Sequence, residues 1–268
     1  MIIDTHAHLN FFEFKDDRDE LISKCLKEGV GMINVGTNLQ SSKKAIEIAG
    51  KYSNIFASIG LHPLNIDSGF LKNKGYSGEA ESFLEKDFDY GAYKSLKNEK
   101  VVAVGEIGLD YWYKPKGTGK KELFKQEQKR IFERQLDLAE ELNLPVIIHC
   151  RSAFEDLFTI LSKKKVRGVL HCFTGTKEEA EKALFLGLHI GINGIIFKMD
   201  LKEAIKDIPL EKILIETDCP YLSPPGFEER NNPLALSYIV DEIAKIKGVK
   251  AEEVKEITFK NAKELFNI

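Results

Sequence analysis

The sequence predicts a (β/α)8 TIM-type barrel, read as one domain over residues 1–268. Three observations predict it. Eight short β-rich runs recur along the chain, helical patterns separate them, and together they fill about 250 residues, the usual span of this fold. The runs are residues 2–6, 31–36, 55–62, 101–107, 146–149, 168–171, 189–193 and 213–216.

Each intervening element has its own reason. Residues 17–28 and 39–52 space their apolar side chains for one helix face. The pattern over 121–142 is longer, with Phe124, Ile131, Phe132, Leu136 and Ala139 on one stripe. Patterns over 152–164, 176–186 and 201–208 separate the later runs, and those over 233–247 and 251–266 close the chain. Thr176, followed by Glu178 and Glu179, reads as an N-cap with an acidic first turn. Two segments interrupt the rhythm. Residues 63–96 are expected to include a helix near 80–86, and residues 111–121 are aromatic, then basic, with Pro115, Gly117 and Gly119. Both follow strands, so a barrel would put them on its C-terminal, catalytic face. The alternative, an open doubly wound sheet, differs in whether the eighth strand meets the first.

Composition narrows the function. Lys and Arg total 39 against 42 Asp and Glu, a formal charge of −3. That excludes coating nucleic acid by bulk positive charge. The four cysteines, Cys25, Cys150, Cys172 and Cys219, are unclustered, which suits a reduced cytoplasmic chain. No apolar run approaches the ~20 residues of a membrane span, and the N-terminus has no basic-then-apolar leader. A cytoplasmic monomer is the expectation.

Polar residues gather at the C-terminal ends of the predicted strands. The first ends in His6-Ala7-His8, the fourth in Glu106, the fifth in His149, the sixth in His171 and the eighth in Asp218. Alternation turns His6 and His8 the same way. Singly, each has an ordinary structural explanation. Jointly, four imidazoles and two carboxylates on one rim point to a metal site, and they exceed one tetrahedral zinc, so two metals are expected. His189 opens its strand and belongs at the opposite end. His62, in Gly60-Leu61-His62-Pro63, is placed as a substrate contact or auxiliary ligand. Cys150, Cys172 and Cys219 each follow a proposed ligand, and alternation turns them toward the helices as small buried side chains.

Six motifs in order then resemble the TatD family of metal-dependent deoxyribonucleases, among the amidohydrolase-like barrels. They are Asp4-Thr5-His6-Ala7-His8-Leu9, Gly60-Leu61-His62-Pro63, Gly105-Glu106-Ile107-Gly108-Leu109-Asp110-Tyr111, Ile148-His149-Cys150-Arg151, His171-Cys172-Phe173-Thr174-Gly175 and Glu216-Thr217-Asp218-Cys219-Pro220-Tyr221-Leu222. The resemblance implies His6, His8, Glu106 and Asp218 around one metal, with Glu106 bridging to a second held by His149 and His171. Glu106 stands where many binuclear amidohydrolases use a modified lysine, which favours a phosphodiesterase. Where the family reads Arg-Asn-Glu-Pro, this chain has Arg230-Asn231-Asn232-Pro233. The loop from Tyr113 to Lys121 is also longer and more basic than the family's.

Two dications against two carboxylates leave the pocket about +2, enough to attract a phosphodiester without a basic surface. Asp218 is expected to take the proton of the attacking water. Arg151 is a candidate phosphate clamp. Tyr111, Trp112 and Lys114 are candidate contacts to single-stranded DNA or a frayed 3′ end, and Arg230 is a further candidate. Imidazole ligands suit zinc or manganese, whereas the family's nuclease activity implies magnesium. A 3′-to-5′ exonuclease is the leading expectation. The alternatives are a D-aminoacyl-tRNA deacylase using the same site and a non-catalytic metal-binding interaction protein.

Overall fold

In the computed structural model, which describes residues 1–67, 69 and 84–268, eight parallel strands form one sheet in chain order. They are β1 (Ile2–Ala7), β2 (Val30–Val35), β3 (Ile55–Ile59), β4 (Val101–Asp110), β5 (Val146–Arg151), β6 (Gly168–Leu170), β7 (His189–Ile192) and β8 (Ile213–Ile215). The question left between barrel and open sheet is answered just beyond β8. Ala7 bridges Cys219 in parallel. Asp218 N donates to His6 O at 2.9 Å and His8 N to Cys219 O at 3.0 Å. The segment after β8 therefore closes the sheet onto β1.

Nine helices of the described residues surround the sheet: α1 (Arg18–Lys27), α2 (Leu39–Ala49), α3 (Tyr90–Ser95), α4 (Thr118–Leu142), α5 (Phe154–Leu161), α6 (Lys177–Phe185), α7 (Lys202–Asp207), α8 (Leu236–Lys247) and α9 (Ala251–Phe266). Local chemistry sets their ends. Asn38 accepts from Ser41 N at the start of α2, and Thr176 with Glu179 forms a capping box on α6. Gly248, at φ 68°, closes α8 in the left-handed region that suits glycine. One expectation needs correction. The helix near 80–86 lies outside the described residues over 80–83, and residues 84–86 are not helical, since Glu85 bridges Ile66 instead. The six-residue α3, too short to show a period, was not anticipated; Asp89 caps it through Ala92 N.

Alternation also builds a floor beneath the rim. Ile33, Ala103, Ile147, Val169 and Leu214, from β2, β4, β5, β6 and β8, form one buried cluster with Leu265 and Phe266 of α9. Ile147, Val169 and Leu214 stand two residues before His149, His171 and Glu216. The same faces that are apolar below become polar above.

Candidate metal centre and active site

Glu106, completely buried on β4, is the hub. Its two oxygens face different neighbours. Oε2 lies 3.4 Å from His6 Nε2 and 3.9 Å from His8 Nε2. Oε1 lies 2.9 Å from His149 Nδ1, 3.4 Å from His62 Nε2 and 3.7 Å from His171 Nε2. Asp218 Oδ1 is 3.5 Å from His8 Nε2 and 3.8 Å from His6 Nε2. Two donors at about 2.1 Å from one tetrahedral cation stand about 3.4 Å apart. Most of these spacings are those of shared ligands, and Glu106 Oε2 and Asp218 Oδ1 accept no hydrogen bond among the described residues. Three donor groups could each hold a cation: His6–His8–Glu106, His6–His171–Asp218 and His62–Glu106–His149.

The surrounding hydrogen bonds test this fit ring by ring. His8 Nδ1 donates to Val35 O at 3.1 Å, which leaves the Nε2 lone pair toward Glu106 and Asp218. His171 Nδ1 lies 2.8 Å from Glu216 Oε1, and its Nε2 is turned toward Glu106 Oε1. His149 Nε2 lies 3.1 Å from Asp110 Oδ2, leaving Nδ1 toward Glu106. A carboxylate or carbonyl behind the imidazole is the usual support of a metal-binding histidine. His62 is different. Its Nδ1 accepts from Leu64 N at 3.1 Å, so in the neutral ring the proton sits on Nε2 and faces Glu106. In that tautomer His62 is a hydrogen-bond donor at the site.

Burial and charge compete at each group. Burial pushes Glu106 up, but His62, His149 and His6 hold it well below the ordinary carboxylate range. Burial also raises Asp218, and the His8 contact together with His171 and His6 brings it below its usual value. Burial pulls His149 down, yet Asp110 and Glu106 outweigh it and lift the ring to about 9. His171 rises to about 10 against burial through Glu216. Burial leaves His62 at about 4, neutral at physiological pH.

Four supports escaped sequence reasoning. Asp110 and Glu216 hold His149 and His171. Asp4 accepts from His6 N at 3.1 Å and Thr217 N at 3.0 Å, tying β1 to the turn that carries Asp218. The signal was present: each carboxylate stands two or four residues from a rim residue. The fourth support comes from α4. Buried Gln128 clasps the backbone of Asp110 (2.8 and 3.1 Å), and Gln135, seven residues on, clasps Leu61 beside His62 (2.7 and 3.0 Å).

The expected substrate contacts separate. Trp112 is 59% exposed, and Lys114 and Arg151 are exposed beside it. Tyr111 lies apart from them: its ring is buried in the core and its hydroxyl donates to Asp156 at 2.9 Å. Arg230 also lies apart. Its Nη2 donates to both Asp17 oxygens at 2.6 and 2.8 Å, and the guanidinium lies over Phe14. Asn232, where the family has glutamate, caps the turn at Pro233 by accepting from Leu234 N at 3.0 Å. His189 begins β7, away from the rim residues.

Barrel, rim and imidazole–carboxylate set together define a metal-dependent hydrolase. The family described as TatD related DNase matches residues 3–267, and the chain belongs to that family. It is 38% identical over 278 residues to the uncharacterized metal-dependent hydrolase YabD of Bacillus subtilis, covering 100% of both chains. It is 34% identical over 280 residues to the 3′-5′ ssDNA/RNA exonuclease TatD of Escherichia coli K12, covering 100% of this chain and 99% of that one. Among solved structures, the TatD homolog YjjV of Escherichia coli aligns with a TM-score of 0.82 at 27% identity, over 100% of this chain and 98% of that one. A TatD family hydrolase from Entamoeba histolytica aligns at 0.78 and 28% identity, over 99% and 97%.

Proposed function

We propose that this chain is a 3′-to-5′ exonuclease that hydrolyses the phosphodiester bonds of single-stranded DNA. One observation carries the reading: the two oxygens of a single buried carboxylate, Glu106, face two separate sets of imidazoles. His6, His8 and Asp218 would hold one divalent cation, His149 and His171 a second, with Glu106 between them. When bound, such ions supply Lewis acidity, acidifying water and neutralising charge that builds on phosphoryl oxygens. The donor set suits zinc or manganese, with magnesium as an alternative.

The chain's own groups do the rest. Asp218 is ionised and accepts the proton of the attacking water. His62, neutral with its proton on Nε2, donates to a phosphoryl oxygen. Glu216, Asp110 and the Val35 carbonyl keep the imidazoles in the required tautomers. The names of the TatD relatives support nucleic acid as substrate. The complete donor set lies in one chain, which supports a monomer and one hydrolase domain over residues 1–268. Four free thiols support a reducing, cytoplasmic setting. No helix of the described residues is long and apolar enough to cross a membrane.

The test incubates protein loaded separately with zinc, manganese or magnesium with single-stranded oligonucleotides labelled at either end. We expect 5′-labelled strands to shorten stepwise, and Asp218→Asn to lose about 10²–10⁴-fold in turnover, the usual cost of a lost general base. Metal counting should show the His149–His171 cation retained in that variant. Digestion from the 5′ end, or hydrolysis of D-aminoacyl-tRNA with DNA left intact, would overturn the reading.

A further inference from the structure

Directly above the buried site, β4 and β5 lead into a pair of exposed side chains. Arg151 is the last residue of β5, two beyond His149, and Trp112 stands two beyond Asp110. The register pairs Gly108 with His149 and Asp110 with Arg151. Trp112 N donates to Asp110 Oδ1 at 2.9 Å. One two-residue step, about 7 Å along a strand, thus leads from the buried His149–Asp110 contact to the solvent-facing Arg151–Trp112 contact.

The exposed pair is organised. The Arg151 guanidinium carbon lies 4.8 Å from the Trp112 ring centroid and 5.8 Å from that of Tyr113. Trp112 nevertheless remains 59% exposed. Nearby Lys129 is paired with Asp156 at 2.8 Å, whereas Arg151 has no carboxylate partner among the described residues. Lys114 and Lys116 follow, both exposed. A large ring left in water beside a cation presents a flat, electron-rich surface and a positive charge two residues beyond Asp110 and His149.

We infer that Trp112, with Arg151 and Tyr113, forms a platform on which an unpaired nucleobase stacks, one nucleoside away from the phosphate being cleaved. This rests on the phosphodiesterase reading above and names what that site selects. A base inside a duplex already lies in its own stack and cannot reach the indole. The platform therefore favours single strands and tolerates any base, because every base has a π-face.

Trp112 is the single tryptophan of the chain, so intrinsic fluorescence reports this position alone. Metal-loaded protein is titrated with a phosphorothioate oligonucleotide that resists hydrolysis, with an abasic strand of equal length, and with inorganic phosphate. The base-bearing strand should quench the emission saturably and the other two should not. Read by the anisotropy of dye-labelled strands, since the variants carry no indole, the wild-type preference for base-bearing over abasic strands should fall about 5- to 150-fold in Trp112→Ala, the worth of one base–aromatic stack, and return in Trp112→Phe. Equal response to the abasic strand, or an unchanged preference in Trp112→Ala, overturns the platform. The titration needs no turnover. A silent indole therefore overturns the platform even if DNA is cut, and a base-dependent quench without cleavage overturns the phosphodiesterase reading while sustaining the platform.

Discussion

At the scale of single residues, the contact between Asp110 and His149 decides which ring nitrogen is left for a cation. Asp110 is buried and bonds to His149 Nε2. Loss of such an outer carboxylate typically weakens metal affinity about 10–100-fold. We expect that loss in Asp110→Ala, measured by competition with a chelating dye, with Asp110→Asn in between because one oxygen remains. Unchanged affinity in both would show that His149 is oriented by something else. The rim histidines and Glu106 were legible in the sequence because strand ends and alternation are local properties. Asp110 lay in a quoted motif without a role, since its partner is supplied by the register of a neighbouring strand 39 residues away.

At the scale of elements, β7 contributes an absence of side chain. A Cβ on Gly191 would lie 2.6 Å from Glu216 Oε2 and 2.9 Å from its Cδ. Glu216 needs that space to reach His171 and Cys172 N. Gly191→Ala should destabilise the fold by about 1–3 kcal/mol through overpacking and lower metal retention as His171 loses its support. Thermal melting and metal counting check this, and a variant with wild-type Tm and metal content would contradict it. The segment after β4 shows the opposite case. Its composition correctly suggested an aromatic, basic rim loop. Which aromatic turns inward was not legible, because Tyr111 and Trp112 are neighbours and only tertiary packing into the core, with Asp156 and Lys125 at its edge, buries the first. α4 also begins at Thr118, so Lys120 and Lys121 belong to its first turn.

At the scale of the whole molecule, the six histidines divide by their place on the strands. His189, at the start of β7, is lowered to about 4, first by burial and then by Lys212. Its folded value lies below the unfolded value near 6.5, so its contribution to stability is present above that pH and is lost as pH falls toward 4. His189→Gln should flatten the decline in urea midpoint between about pH 6.5 and pH 4 while leaving metal content unchanged. Parallel curves for the two proteins would refute this account.

The sequence by itself determined the order of the eight strands, the long helices between them, and the residue types gathered on one rim. These depend on periodicity, which each segment carries within itself. Only the tertiary structure decided that the segment after β8 closes the sheet onto β1, and that Glu106 turns its two oxygens to different histidines. It alone gave His62 a donor's tautomer and tied Arg230 to Asp17. Each of these depends on two segments distant in the chain meeting at a particular register, and no local pattern encodes that meeting.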